Sequence, residues 1–200
     1  PRYPQETLEE TDEYTVATTP WGQTIRNWKH SGGTPEFLKC TIVDPDSWAA
    51  AKKRMAPTAD RIDWDYLKTN YPIWRQRGTW IEAGLWFGFD VTHSWMVGTE
   101  RFLMALATDP AWCMDIFETC LSAGIALLDR VIDAGYTFDS VMWYDDLGYK
   151  HHQFMSMKMY RELLKLTEGK SIYLEEYARG QIGQEELHVK FVALRREIVG

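Results

Sequence analysis

Residues 137–148, TFDSVMWYDDLG, decide the reading of the fold. An apolar run (Phe138, Val141, Met142, Trp143) gives way to two adjacent carboxylates, Asp145 and Asp146, and then to Gly148. Such a run reads as a buried parallel strand whose carboxyl end opens into a polar site. In open α/β sheets and in α/β barrels, ligands bind beyond the carboxyl ends of the strands, so acids at that point are placed for chemistry. The bland alternative is that Asp145 turns the chain and Asp146 is solvated. Adjacent residues at a strand end face opposite sides, so only one acid can face inward, and the two-residue offset from Trp143 selects Asp145.

The residues upstream supply the rest of the unit. Asp109-Pro110 places an N-cap residue before a proline at the first helical position. Apolar residues then recur at Cys113, Ile116, Phe117, Cys120, Leu121, Gly124, Leu127, Leu128, Val131 and Ile132, the spacing of one helix face, and Gly135 closes the helix. Residues 79–87 (TWIEAGLWF) have the β-branched and aromatic content of a core strand, with Gly84 and Gly88 marking close approach of a backbone or ligand. Between them, residues 88–98 (GFDVTHSWMVG) have no strong period and read as a loop or short helix, and a helix is predicted over 99–107. The order strand, helices, strand is a βαβ crossover, which predicts two parallel strands.

Elsewhere the signals are local. Residues 1–20 are polar, with Pro1, Pro4 and Pro20 and an acidic cluster (Glu9, Glu10, Asp12, Glu13), and read as an arm or edge hairpin. Residues 14–19 are positioned to pair with 23–28 across Pro20-Trp21-Gly22. A short apolar stretch covers 37–43. Asp44-Pro45-Asp46-Ser47 starts a helix ending in Lys52, Lys53 and Arg54, whose charges suit the helix dipole. A short helix is predicted over 62–69, before Tyr71-Pro72. Ser156 caps a helix running to Leu166, residues 171–174 read as a short strand, and residues 185–198 as an amphipathic helix.

At 200 residues and 45% hydrophobic content the chain can bury a substantial core. A net charge of -7 and a pI near 5.3 leave no basic stripe of the kind phosphate neutralisation needs, which argues against a nucleic-acid partner. No run of 18 apolar residues and no basic-then-apolar opening occurs, so neither a membrane span nor a signal peptide is predicted, and a cytoplasmic location is expected. Cys40, Cys113 and Cys120 are isolated; the last two lie two turns apart on one predicted helix and suit a core role. The first residue is not methionine, consistent with processing or a fragment.

Residues 79–166 resemble the middle portion of the uroporphyrinogen decarboxylase superfamily, which includes cobalamin- and zinc-dependent methyltransferases acting on coenzyme M and related thiols. The features that carry the resemblance stand in family order: Gly84 and Gly88, then Trp95-Met96-Val97-Gly98, Thr108-Asp109-Pro110 and Asp133-Ala134-Gly135. Asp145-Asp146-Leu147-Gly148 and the segment 156–164 (SMKMYRELL) complete the set. Residues 15–60 look compatible with the upstream part of the methyltransferase-like members. Two family motifs are missing: the arginine-rich Arg-Gln-Ala-Gly-Arg segment of the decarboxylases, and the His-x-Cys zinc motif of the methyltransferases. The resemblance implies an α/β fold of the (β/α)8 TIM-barrel type. About three core strands are recognisable where a barrel closes with eight, so the barrel is expected to be incomplete in this chain. Residues 1–78 then form an N-terminal arm and helical region, and 79–200 the βα units.

By resemblance, the expected activity is decarboxylation of the acetate side chains of a tetrapyrrole, or of a related substrate, with no cofactor. The alternatives are a corrinoid methyltransferase relative that needs zinc and a corrinoid, and a truncated homologue without catalysis. Asp145, Asp146 and His93 are the catalytic candidates; His93 is chosen for its place after the first strand. Tyr144, Trp95, Gly88 and Gly148 are the substrate-binding candidates, since aromatic walls suit a flat macrocycle or corrinoid. His151 and His152 follow Asp146 closely enough to be weak metal candidates, although adjacent ligands are awkward and no third ligand is in sight. The partners expected are a small molecule, a tetrapyrrole or corrinoid, and a second copy in a homodimer.

Overall fold

The computed structural model describes residues 1–164 together with Gly183, Glu186 and Lys190. The strand read at 171–174 and most of the helix read at 185–198 lie outside the described residues. The chain divides into two compact units, Pro1–Ala56 with Phe89–Thr119, and Pro57–Gly88 with the chain from Cys120 onward. Among the described residues the strands make a four-stranded antiparallel sheet and a two-stranded parallel sheet, without a closed barrel.

The first unit begins with the antiparallel sheet. Strands β1 (Thr7–Glu10), β2 (Tyr14–Thr18), β3 (Gln23–Trp28) and β4 (Glu36–Cys40) lie in sequence order. The hairpin read from sequence is present, with Tyr14 opposite Trp28 and Thr18 opposite Thr24. Arg26 lies over the Tyr14 ring at 4.8 Å and pairs with Glu36 at 3.0 Å, which ties β2, β3 and β4 together at the surface. The apolar stretch read over 37–43 enters β4 as far as Cys40; its Phe37 and Leu38 are exposed and its Ile42 is buried.

Helix α1 (Pro45–Lys53) follows with the predicted start. Asp44 Oδ1 accepts from the Ser47 N–H at 2.7 Å and Ser47 Oγ accepts from the Asp44 N–H at 3.0 Å, a reciprocal capping box. Residues 91–97, read as a loop or short helix, form a π-helix (Val91–Val97), and α3 (Thr99–Thr108) starts one residue later. The missing 3.6-residue period has a cause here, because a π-turn is wider than an α-turn and does not repeat an α-helical stripe. Its Val91, Met96 and Val97 are buried, and Phe102 of α3 meets Phe117 edge-on at 5.6 Å.

Helix α4 (Pro110–Asp133) is the element that the sequence specified most fully. Trp112, Cys113, Ile116, Phe117, Cys120 and Leu121 are buried along one stripe. Burial pushes the Cys113 and Cys120 thiols up to about 12, so both remain protonated core residues. By length and composition α4 also meets the criterion for a membrane span, a test that core helices pass as well. Asp115, on its polar side, accepts from Trp48 Nε1 at 2.6 Å and pairs with Lys52.

In the second unit, α2 (Trp64–Gln76) runs through Pro72, where the sequence predicted a stop. An interior proline costs roughly 3 kcal/mol, so something outside the helix must offset it. Tyr71 and Arg75, one turn apart, hold the residues just before the second parallel strand. Arg75 Nη1 donates to both oxygens of Asp139 at 2.9 and 2.8 Å, Arg75 Nη2 donates to the Thr137 carbonyl at 2.6 Å, and the Thr137 N–H donates to Tyr71 Oη at 3.0 Å. Burial opposes ionisation of the Tyr71 phenol, but its bonds with Thr137 and Arg75 outweigh that and hold it below its ordinary value.

Strands β5 (Glu82–Leu85) and β6 (Ser140–Trp143) are parallel, as the crossover requires, with Glu82 beside Ser140 and Leu85 beside Trp143. The strand read over 79–87 is therefore shorter than expected, because its partner offers only four paired positions. The reading of residues 138–143 as fully buried is also corrected. Val141 is buried, and on the opposite face Ser140 is buried but Met142 is 41% exposed, so that face is covered only at its start. A Cβ at Gly124 would lie 3.6 Å from Leu85 Cδ2, which identifies the covered face as the one against α4.

Two outcomes are expected. Asp139→Ala removes a paired, hydrogen-bonded carboxylate and should destabilise the chain by about 2 kcal/mol, lowering Tm by roughly 4–8 °C in a thermal melt followed by circular dichroism. For Asp115, burial resists ionisation but Lys52 and Trp48 outweigh it, so its folded-state value lies below the ordinary one. A depressed carboxylate stabilises above its unfolded value, roughly pH 4, and that contribution is lost as pH falls through the folded value. The urea-midpoint gap between wild type and Asp115→Asn should therefore be present at pH 7 and shrink toward pH 3.

Candidate functional site

The carboxyl ends of β5 and β6 open side by side. Beyond β5 the chain passes Trp86, 59% exposed, and the buried Phe87 to Gly88, whose φ of +108° lies in the left-handed region. Beyond β6 it passes Tyr144 to Asp145, which stays half-buried while Tyr144 and Asp146 are exposed. This alternation continues that of the strand and puts Asp145 on the same side as Val141 and Trp143.

Asp145 and Gly88 are brought together. A Cβ built on Gly88 would stand 2.5 Å from Asp145 Oδ2 and 3.1 Å from its carboxyl carbon. The carboxylate therefore rests directly on the bare glycine Cα, where any side chain would displace it. Asp146 acts on the backbone instead. Its Oδ1 accepts from the Gly148 N–H at 3.2 Å, an Asx turn that redirects the chain. The pair of acids divides into one against the backbone of the neighbouring strand's exit and one at the turn.

The segment after Asp146 is a tight reversal. Gly148 bridges to Gln153, the Tyr149 N–H donates to the His152 carbonyl at 2.8 Å, and the Phe154 N–H donates to the Leu147 carbonyl at 3.0 Å. His151 and His152 sit exposed at its tip, with the Tyr149 ring edge-on to His152 at 6.1 Å. No group of three or more His, Cys, Asp or Glu side chains suited to a metal forms among the described residues. Gly148 serves this reversal, and Tyr144 and Trp86 flank the strand ends as exposed rings.

His93 and Trp95 belong to the other unit. Trp95 meets Phe37 edge-on at 6.2 Å. His93 is 5% exposed, stacks beside Phe89 with ring centroids 4.4 Å apart, and places Nδ1 3.0 Å from Thr99 Oγ1. Its Nε2 lies 3.6 Å from Asp90 Oδ1, and Ser94 Oγ donates to the same oxygen at 3.1 Å. Asp90 is itself buried. His93, Ser94 and Thr99 line an open groove of about 870 Å³, whose walls include Gln23, Phe37, Lys39, Cys40, Arg101 and Met104. Gln23 ties the sheet to the π-helix by donating from Nε2 to the Ser94 carbonyl at 2.6 Å. The sequence reading found His93 and missed Asp90, Ser94 and Thr99. The π-turn and the helix start that follows it bring together positions that no regular period links.

No family model matches the chain, and neither a curated protein nor a solved structure does.

The Gly88–Asp145 contact gives a direct stability test. Gly88→Ala should cost about 1–3 kcal/mol, from the left-handed backbone and the displaced carboxylate together. Adding Asp145→Ala should recover the part due to the clash and leave the part due to φ, a non-additivity read from urea denaturation of the two single variants and the double variant.

Proposed function

We propose that the chain is a relative of the uroporphyrinogen decarboxylases that removes carboxyl groups from the acetate side chains of a tetrapyrrole or a similar aromatic carboxylate, with Asp145 as the catalytic carboxylate. The observation that carries this reading is the carboxylate of Asp145 held on Gly88 where two parallel strands end together. Strand ends of this kind are where α/β folds place their ligands.

The chemistry asks for an anion fixed near a developing cation. Protonation of a pyrrole carbon gives a cationic ring, the carbon–carbon bond to the carboxylate breaks so that its electron pair neutralises that cation as CO2 leaves, and a proton then adds to the side-chain carbon while the ring carbon gives up the one it took. A carboxylate prevented from turning to follow solvent stabilises that cation without reorganising, which is where electrostatic catalysis is largest. Asp145 is half-buried and packed against backbone, whereas Asp146 is exposed and occupied in a turn, so the role falls to Asp145. Trp86 and Tyr144, exposed at the same strand ends, offer faces to the planar pyrrole rings of the macrocycle. This reading needs no metal or organic cofactor. The parallel pair and the helical crossover between its strands also support a partial barrel of the α/β type.

The test is anaerobic incubation of the purified chain with uroporphyrinogen in the presence of EDTA, with CO2 release and the porphyrin products followed chromatographically. Release is expected for the wild type. Asp145→Asn should lower kcat on the order of 10²-fold, while Asp146→Asn should change it little. No release, or methyl transfer from methylcobalamin to a thiol on adding zinc, would move the assignment away from decarboxylation.

A further inference from the structure

We infer that the groove of the first unit is an acyl-transfer site in which Thr99 is the nucleophile, His93 its base and Asp90 the carboxylate that orients the imidazole. Nucleophilic hydroxyls are recognised by a base within hydrogen-bond reach and a third group that fixes that base. The three groups lie within ten residues of chain. Thr99 is exposed on the groove wall, its Oγ1 is 3.0 Å from His93 Nδ1, and the opposite ring nitrogen faces the buried Asp90 Oδ1 at 3.6 Å. The last distance is longer than a formed hydrogen bond, as is common at such sites before a substrate is bound.

Ser94 is the rival nucleophile, and the geometry separates the two. Ser94 Oγ lies 3.3 Å from both His93 ring nitrogens, so it stands over the ring face rather than in the plane of either lone pair. It also donates to Asp90 at 3.1 Å. Thr99 Oγ1 is within reach of Nδ1 alone. For Nδ1 to accept the threonine proton, Nε2 must carry the ring proton, and Asp90 stands on that side to hold this tautomer.

The step balances as an ordinary acyl transfer. Thr99 Oγ1 bonds to the acyl carbon as its proton passes to His93 Nδ1, the carbon–oxygen bond to the leaving alcohol breaks, and His93 returns the proton to that alcohol. Water then attacks the threonine ester by the reverse path and releases the acid. Thr99 opens α3 behind Gly98, which provides no side-chain cap. The first-turn N–H groups that a helix leaves over are therefore available to a developing oxyanion. The groove is apolar at Phe37, Leu38, Val43 and Met104 and carries Lys39 and Arg101 together with Glu100. The apolar part of that lining suits esters with a short apolar acyl chain. The inference is independent of the Asp145 reading, since it uses other residues and another substrate.

The experiment is stopped-flow release of p-nitrophenolate from p-nitrophenyl butyrate by the full chain, with peptide mapping of the quenched protein. A burst with the butyryl group on Thr99 is expected. Thr99→Ser should keep the burst. Thr99→Val, a surface change of similar shape, should slow it on the order of 10²-fold or more, and His93→Gln likewise where its circular dichroism matches wild type. Absence of a wild-type burst, an adduct on Ser94 or Cys40, or an unchanged rate in Thr99→Val overturns the inference; the Thr99 variants decide if His93→Gln does not fold.

Discussion

The alignment of β5 with β6 is fixed one residue before β6 begins, at Asp139. Its N–H donates to the Ile81 carbonyl and its carboxylate accepts from the Ile81 N–H, both at 2.8 Å. Arg75 then binds both oxygens of the same carboxylate. In a parallel pair a slip of one residue would turn every side chain to the opposite face. Glu82 would no longer lie beside Ser140, and the exits of the two strands would no longer place the Asp145 carboxylate on Gly88. The candidate site at the strand ends thus depends on a polar clamp at the strand beginnings. Four paired residues are too few to hold alignment by apolar packing alone.

That clamp also explains why α2 survives its proline. Tyr71 and Arg75 lie on either side of Pro72, and the bonds they make to Thr137 and Asp139 exist only while the helix continues through it. Helix propensity is a weak prior, and tertiary contacts override it where they are charged and hydrogen-bonded. No residue of α2 is buried, so the carbonyl that Pro72 leaves without its helical donor can be met by water.

Both candidate sites use a backbone conformation that regular structure does not provide. At Gly88 a left-handed residue lets a carboxylate lie on the main chain, and at Val91–Val97 a π-helix turns His93 and Ser94 toward the groove. The chemistries drawn from them differ because their surroundings differ. Asp145 is a half-buried carboxylate near exposed aromatic rings, the setting of the decarboxylation proposed above. His93 is a buried imidazole between a hydroxyl and a carboxylate, the setting of the acyl transfer inferred above.

The sequence by itself determined the elements whose information is local or periodic. The capping box of Asp44 and Ser47, the β2–β3 hairpin and the stripe of α4 are written in adjacent residues or in one repeating spacing. It also determined that β5 and β6 run parallel, because a helical crossover leaves little alternative, and the offset from Trp143 singled out Asp145, which is half-buried where Asp146 is exposed. Tertiary structure alone decided the rest. The length of α2 depends on residues more than sixty positions away. The exposure of Met142 on β6, the contact of Asp145 with Gly88 and the grouping of Asp90, His93, Ser94 and Thr99 depend on which backbones approach one another. Spacing along a chain encodes the faces of regular elements; it does not encode where a π-turn or a left-handed glycine brings two such faces together.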